Sequence, residues 1–459
     1  MHNHNDLTTQ PVSQLIIKIA APASVGFLFN TMYNAVDTYF GGLISTQALA
    51  ALSISFPVFF VIIAIGTGIS TGTTALIANA FGAGNRRTAK LIAIQGISYG
   101  ILIAVIATVI GTLTSPFLFS LLGASDQYLH DALIYMNIIF DGTIFFMLNY
   151  MLNAILNALG DTRSFRNFLA AGFVLNIIFD PWFMYGGLGV PPLGIAGIAL
   201  ATVLIQLLGS LYLGWRVYLT GLIANKALKD IFPQFSPFGA ITRQGLPAGV
   251  HMLTVGMGIF VITYFASTFG KEAVAAYGIA TRVEQFFLLP TIGLNIATLT
   301  IVAQNNGANL FDRIRETLSR ALRYGAVIMT FGTIGVFLFS RHFMHLFTDD
   351  AAVIAIGMSY LRIAAFILYA YVILFIHVAA LQGIKQPMFA VWIGLMRQII
   401  LPGIAFYVLT SVLKCSITGI WWGIFGITWA SAVFTFFYAR RCLENVASVS
   451  IPGAGGSIV

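Results

Sequence analysis

Residues 49–80 read LAALSISFPVFFVIIAIGTGISTGTTALIANA, an apolar run that contains no charged side chain. A helix that crosses the hydrocarbon core of a bilayer needs about 20 consecutive, mainly apolar residues. This run is long enough, and it lacks the short alternating segments of about 10 residues that mark an outer-membrane barrel. It therefore predicts a membrane-spanning helix.

The whole chain shares this apolar character. Of its 459 residues, 58% are hydrophobic and only 8% are charged, whereas a soluble domain has about 25% charged residues. Soluble enzymes, nucleic-acid-binding proteins and disordered chains are excluded, because a soluble protein of this length needs a charged surface. Two cysteines, Cys415 and Cys442, argue against a disulfide framework or a cysteine metal site. The polar residues 1–10 lack the pattern of a cleaved signal peptide.

Applied along the chain, the same length criterion predicts an all-α polytopic membrane protein with twelve transmembrane helices. The predicted spans are residues 15–41, 49–80, 90–115, 130–158, 163–187, 192–218, 240–269, 274–303, 314–340, 352–382, 388–412 and 417–442.

The positive charges between these spans predict the orientation. With a cytoplasmic N-terminus, 17 of the 23 basic residues fall in cytoplasmic segments. Only Lys271, Arg341 and Lys414 fall on the other side of the membrane, and the remaining three, Arg282, Arg362 and Arg397, lie inside predicted spans. Cytoplasmic loops carry the excess of Lys and Arg in membrane proteins. We therefore expect both termini in the cytoplasm and a location in the plasma (inner) membrane. The net charge of +8 then indicates topology rather than nucleic-acid binding.

The sequence matches itself at a constant offset of 225, the difference between positions 247 and 22. Residues 22–23 (PA) fall on 247–248 (PA), and residues 78–83 (ANAFGA) fall on 303–308 (AQNNGA). Six spans per copy make the two copies run the same way through the membrane, as in transporters whose substrate site lies between parallel repeats. The predicted organisation is a tail (1–14), a first six-helix lobe (15–218), a linker (219–239), a second lobe (240–442) and a tail (443–459).

Several ionisable side chains lie well inside predicted spans, where each costs about 2.5–3.5 kcal/mol to insert. On span 1, Asn34 and Asp37 share one helical face with Tyr33, because residues three and four apart lie together on a helix. Span 5 carries Asn176 and Asp180 one turn apart, before Pro181. Further polar side chains recur on span 4, namely Tyr135, Asn149, Asn153 and Asn157.

These stripes predict a polar cavity in the first half. A carboxylic acid in an apolar cavity binds and releases a proton readily, and carboxylate and amide oxygens also suit a hard cation such as sodium. The sequence leaves both chemistries open. Membrane asparagines also simply join helices, for about 0.6 kcal/mol each, so Asn149 and Asn157 have a structural alternative.

The second half does not repeat the carboxylates. Asp37 falls on Ile262 at the repeat offset, and alignment on the two prolines Pro181 and Pro402 places Arg397 opposite Asn176. Glu284, within span 8, is expected to find a partner on another span. The chain contains no HExxH or Walker motif, which argues against an enzyme and against ATP as the energy source.

These residues resemble the multidrug and toxic compound extrusion (MATE) family. The resemblance rests on residues 33–41 (Tyr33-x-x-x-Asp37…Gly41), the loop 75–85 (ALIANAFGAGN), the turn 160–163 (GDTR) and residues 176–181 (Asn176-x-x-x-Asp180-Pro181). It extends from residue 12 to 442. Acids in the first half alone are similar to the DinF-type branch and depart from the NorM-type branch.

The resemblance implies two six-helix bundles that export cationic or amphipathic compounds in exchange for H⁺ or Na⁺. It implies a polar cluster of Tyr33, Asp37, Tyr135, Asn153, Asn176, Asp180 and Thr202. Of these, Thr202 is implied by the resemblance alone. A sodium ion would take Asp37, Asn176, Asp180 and Thr202, and bending of span 1 at Pro22 would accompany protonation of Asp37.

The sequence thus predicts a secondary antiporter that needs no cofactor beyond its coupling cation. Its expected partners are drug-like or cationic small molecules and the lipid bilayer, with no nucleic acid, and the protein is expected to be a monomer. The alternatives are a lipid-linked oligosaccharide flippase, which needs a cationic cavity, and a membrane enzyme or scaffold.

Overall fold

The structure is a computed structural model that describes residues 7–223 and 230–449. The predicted linker (219–239) and both predicted tails therefore lie partly outside the described residues. The helices are α1 (Val12–Ile44), α2 (Thr46–Gly82), α3 (Arg86–Leu121), α4 (Asp126–Asp141), α5 (Thr143–Ala158), α6 (Arg163–Tyr185), α7 (Ile195–Leu219), α8 (Phe235–Ser267), α9 (Lys271–Gly307), α10 (Phe311–His345), α11 (Ala351–Gly383), α12 (Met388–Leu395), α13 (Leu401–Tyr407) and α14 (Ile417–Val449).

The all-α membrane architecture is confirmed. Within residues 7–223 and 230–449, the one β-type pairing is an isolated bridge between Gly187 and Val190. The same ranges contain 11 helical segments that are long and apolar enough to cross a membrane, and a bent helix pair makes a twelfth. Helices satisfy their backbone polar groups internally, which the hydrocarbon core requires.

The bent pair is the predicted span 4. We expected one helix over residues 130–158, but the structure breaks it between α4 and α5 with a bend of 47°. Gly142 lies at the break, and a Cβ atom there would lie 2.3 Å from the Val203 side chain on α7. The break therefore depends on a close approach of two helices, which the apolar pattern of one span does not reveal.

The predicted span 11 (388–412) is also irregular. Two π-helical segments, Met396–Ile400 and Val408–Val412, interrupt it on either side of α13. Wide π-helical turns within α-helices occur frequently at functional sites. Arg397 lies in the first of them and is buried.

The internal repeat is visible in the helix positions. Helices α2, α3, α4 and α6 begin at residues 46, 86, 126 and 163, and α9, α10, α11 and α12 begin at residues 271, 311, 351 and 388. Every one of these four pairs differs by the repeat offset, as 271 − 46 = 225 illustrates. Two of these helices have a side-chain cap at the N-terminus: Asn85 accepts a hydrogen bond from the Thr88 amide of α3 at 3.0 Å, and Asp350 caps α11.

The described chain forms two compact units. Unit 1 comprises Val25–Ala80 and Asn85–Gly249, and unit 2 comprises residues 7–24, Phe81–Gly84 and residues 250–449. The first turns of α1 therefore belong to unit 2, and those of α8 belong to unit 1. The two boundaries, after Ser24 in α1 and after Gly249 in α8, fall at the same position of the repeat.

Each unit has its own apolar core. In unit 1, Phe119, Phe140 and Met147 are fully buried together. In unit 2, Leu15 and Ile19 from the start of α1 join a core that includes Phe406 and Trp421.

Candidate functional site

The candidate site in unit 1 is built on α6. This helix runs through Pro181 and presents Asn176 and Asp180 one turn apart, both fully buried. It begins after the turn at residues 160–163, where Asp161 accepts hydrogen bonds from the amide (3.1 Å) and hydroxyl (2.6 Å) of Ser164 and forms a salt bridge with Arg216 at 3.2 Å. These contacts fix the start of α6.

The Asn176 amide joins two carboxylates. Its Nδ2 donates one hydrogen bond to Asp37 Oδ1 at 2.8 Å and another to Asp180 Oδ1 at 2.9 Å. Asp37 comes from α1, so this single side chain connects α1 with α6. A primary amide has two N–H donors, and here each serves a different acid.

Two hydroxyl groups extend this cluster. The Tyr33 hydroxyl, one turn before Asp37 on α1, donates to Thr202 Oγ1 on α7 at 3.1 Å. Thr202 also lies beside the Asp37 carboxylate. Tyr135, on α4, lies near both Asp37 and Asp180. The structure therefore brings together six of the sequence-predicted residues, from four helices of one unit.

The cluster is acidic and only partly satisfied. In the described ranges, neither Asp37 nor Asp180 makes a salt bridge with a basic side chain. Asp180 Oδ2 and Asn176 Oδ1 are buried and accept no hydrogen bond. Burying an unpaired charge is costly, and these two oxygen atoms are acceptors that no described side chain satisfies.

Three other predicted cavity residues are not joined to this cluster. Asn149 donates to the backbone and side-chain oxygens of Gln206 on α7, at 2.9 and 2.7 Å. Asn34 is exposed and donates to the Asn30 carbonyl of its own helix at 3.0 Å. Asn153 is buried, and its side-chain oxygen has no partner among the described residues.

The predicted bend residue and the predicted sodium ligands stay predictions. Pro22 is buried within α1, which is assigned as one helix from Val12 to Ile44. In residues 7–223 and 230–449, no three His, Cys, Asp or Glu side chains form a metal-type cluster. A sodium ion would therefore depend on the oxygen atoms of Asn176 and Thr202 as well as the two acids.

The residue pattern missed contacts that depend on how helices pack. The link from Tyr33 to Thr202 was not predicted from the residue pattern, although Thr202, Gln206 and Ser210 recur every four residues on α7. In unit 2, the expected partner of Glu284 is Tyr360, whose hydroxyl donates to Glu284 Oε2 at 2.5 Å.

Eleven apolar helical segments and one bent pair in the described ranges, a duplicated architecture and a buried polar cluster define a multi-pass membrane transporter rather than an enzyme. A profile of the MatE family matches residues 22–182 and 247–406, one match in each half. The chain therefore belongs to the MatE family, the family that its motifs resemble.

Two relatives and one solved structure are similar to this chain. A protein named FAD transporter from Shewanella oneidensis is 26% identical over 404 residues, covering 87% of this chain and 89% of that protein. A probable multidrug resistance protein, YoeA, from Bacillus subtilis is 29% identical over 345 residues, covering 74% and 73%. The solved structure of a MOP superfamily transporter from Pyrococcus furiosus, 23% identical, has a TM-score of 0.90 and covers 97% and 99%, which shows the fold.

Proposed function

We propose that the protein is a secondary antiporter that exports cationic or amphipathic compounds in exchange for H⁺ or Na⁺ by alternating access. The observation that carries this proposal is the Asp37–Asn176–Asp180 bridge, in which one amide holds a half-buried and a fully buried carboxylate. Neither acid has a basic partner in the described chain. Membership of the MatE family and the name of the Bacillus subtilis relative support multidrug export.

Neutralisation of the acids supplies the coupling. When both carboxylates are charged, they repel each other in a region with little water to screen them. A proton shared between them, a sodium ion, or the positive group of a bound compound each removes this repulsion. Because all three neutralise the same charge, they compete, and competition of this kind exchanges one cation for another.

The remaining parts of the proposal follow from the sequence. The 17 to 3 distribution of basic residues favours cytoplasmic termini in a plasma membrane. The acids of the first half favour the DinF-type branch, with lobes over residues 15–218 and 240–442. On this proposal the transporter works as a monomer, because the acid cluster draws all its residues from one unit.

The proposal is tested by efflux of a fluorescent cationic dye from proteoliposomes, with a proton gradient and a sodium gradient imposed separately. We expect one gradient to drive efflux, and Asp37→Asn to reduce the rate by at least about tenfold, a change of about 1.4 kcal/mol. Asp141→Asn is the matched control, because Asp141 is an exposed carboxylate at the end of α4. Equal rates for wild type and Asp37→Asn would refute the role of Asp37.

The alternative function, a lipid-linked oligosaccharide flippase, predicts a different result in the same vesicles. A flippase would not export the dye under either ion gradient. It would instead move a labelled polyprenyl-pyrophosphate lipid between the two leaflets. Lipid movement without dye efflux would replace the antiporter proposal with this alternative.

A further inference from the structure

A short stretch before α8 exposes three large apolar side chains. Ile231, Phe232 and Phe235 are 46%, 67% and 98% exposed, and Phe235 is the first residue of α8. We call residues 231–235 the pre-helix patch. Large apolar side chains that are exposed side by side mark a surface that contacts a membrane or another protein.

The backbone of the pre-helix patch is bound by a side chain of α3. Gln95 is fully buried, and its Nε2 donates to the carbonyl oxygens of Asp230 at 2.7 Å and Phe232 at 2.8 Å. Its Oε1 accepts a hydrogen bond from the Gln234 amide at 2.9 Å. Because these contacts use the backbone of the patch, its apolar side chains stay exposed.

The next turn of α3 continues this attachment. The Ser98 hydroxyl donates to the Ile231 carbonyl at 2.8 Å. The Tyr99 hydroxyl lies 2.8 Å from Thr242 Oγ1, and the Tyr99 ring lies edge to face with Phe238, with ring centres 4.8 Å apart. The pre-helix patch and the first turns of α8 are therefore fixed on α3 within unit 1.

The contact with α3 also sets the depth of the patch. The last charged residue at the start of α3 is Lys90, and residues 91–121 contain none. Gln95 lies about 7–8 Å further along the helix axis, at a rise of about 1.5 Å per residue. Non-helical backbone at membrane depth needs its polar groups satisfied by the protein, and Gln95 and Ser98 satisfy four of them. The patch thus lies at the membrane surface.

The repeat shows that the fold does not require this exposure. At the offset of 225, Phe232 is the counterpart of Leu7, whose side chain is fully buried in the core of unit 2. The Leu7 carbonyl accepts hydrogen bonds from Asn305 at 3.0 Å and Arg313 at 3.2 Å. Both copies bind this position through its carbonyl group, but only Phe232 keeps its side chain exposed.

Basic residues accompany the pre-helix patch. Arg86 and Arg87 are exposed at the start of α3. In the sequence, Lys226 and Lys229 precede the patch, and they lie outside the described residues. On the proposed topology this end of unit 1 faces the cytoplasmic leaflet, which carries anionic lipids. Basic residues beside large apolar side chains are the combination that binds such a surface.

We propose that the pre-helix patch is a membrane anchor that binds the anionic surface of the cytoplasmic leaflet. Phe232 and Phe235 insert at the boundary between head groups and acyl chains, and the neighbouring basic residues bind lipid phosphates. The anchor holds the segment that joins the two copies of the repeat. It is separate from the acid cluster, so it does not depend on which compound or ion is transported.

The test measures the depth of a nitroxide spin label in vesicles of phosphatidylcholine and phosphatidylglycerol. Phe235→Cys is made in the full-length chain with Cys415→Ser and Cys442→Ser, which leaves one thiol to label. Oxygen concentrates in lipid and a neutral nickel chelate in water. We expect oxygen to relax the label at residue 235 more strongly than the chelate does. Ala83→Cys, at an exposed loop position before α3, is the control, with the reverse order expected.

The lipid charge is tested with the same label. Phosphatidylcholine alone, or Lys226→Gln combined with Lys229→Gln, is expected to shift the label at residue 235 toward the nickel chelate. Each lysine near an anionic surface favours binding by about fivefold. Unchanged accessibility in both cases would overturn the role of the anionic lipid.

Two results at residue 235 would overturn the anchor itself. Stronger relaxation by the nickel chelate than by oxygen, as at residue 83, would place the patch in water. A label that neither reagent reaches would show that a protein surface covers the patch instead of lipid. Phe235 is 98% exposed, so its replacement by cysteine removes no packing and leaves the fold intact for this measurement.

Discussion

Asn176 donates one hydrogen bond to each of two carboxylates, and its own oxygen atom stays without a partner. The amide thereby stabilises both acids and connects α1 to α6. Without it, Asp37 and Asp180 would have no N–H donor in this bridge. Leaving a buried acceptor unsatisfied costs about 1–3 kcal/mol, and more for a charged group.

We therefore predict that Asn176→Leu lowers both stability and transport. The expected loss is about 1–3 kcal/mol in the free energy of unfolding, together with loss of dye efflux. Thermal unfolding in detergent measures the first effect and the proteoliposome assay the second. Asn137→Leu on α4 is the control, because Asn137 is exposed. A fully active, fully stable Asn176→Leu variant would contradict the role of this bridge.

The sequence predicted part of this cluster. Tyr33 and Asp37, like Asn176 and Asp180, are visible because polar residues three or four apart on an apolar helix share a face. Thr202 shares its face of α7 with Gln206 and Ser210, but this pattern does not show that Tyr33 of α1 lies opposite it. Asn149 fits the same pattern, but the structure places its amide on Gln206.

Glycines set the distance between packed helices in both copies of the repeat. A Cβ atom at Gly68 on α2 would lie 2.6 Å from the backbone of Gly249, and one at Gly293 on α9 would lie 2.4 Å from the Ala20 carbonyl. Gly293 is the counterpart of Gly68 at the repeat offset. Small residues let membrane helices approach closely, so both copies use the same crossing.

A methyl group at this crossing should therefore destabilise unit 2. Gly293→Ala is expected to lower the thermal unfolding temperature, by overpacking of about 1–3 kcal/mol, because the obstacle includes backbone rather than only a flexible side chain. Gly278→Ala is the control on the same helix, since a Cβ atom there meets nothing within 4 Å. It should be neutral or stabilising by up to about 1 kcal/mol. Equal unfolding temperatures for the two variants would contradict the packing at Gly293.

The helices themselves were predicted well because each span is a long apolar run. The exact ends of the helices and the irregular turns within two of the spans were not predicted. The predicted window 90–115 became α3, Arg86–Leu121, since a helix continues beyond the apolar stretch that identifies it. The break at Gly142 and the π-helical turns of span 11 depend on contacts with other helices, so the pattern within one span does not reveal them.

At the scale of the whole molecule, duplication produced two copies with one architecture and different charges. Four helix starts match at an offset of 225, so fold and repeat were predictable from hydropathy and self-similarity. The first copy joins Asp37 and Asp180, and the second holds Arg397 and Glu284. Which polar residues meet in each copy depends on packing, and only the structure shows it.

The central claim is that the acids of the first copy exchange a coupling cation for a transported compound. Proton release during binding of a cationic dye tests it most directly, with purified protein in a weakly buffered solution containing a pH indicator. A parallel sample loaded with radioactive sodium reports displacement of Na⁺. The account predicts that dye binding releases one of these cations from the wild type, and that Asp37→Asn abolishes the release. Dye binding without release of either cation, or an undiminished release from Asp37→Asn, would contradict it.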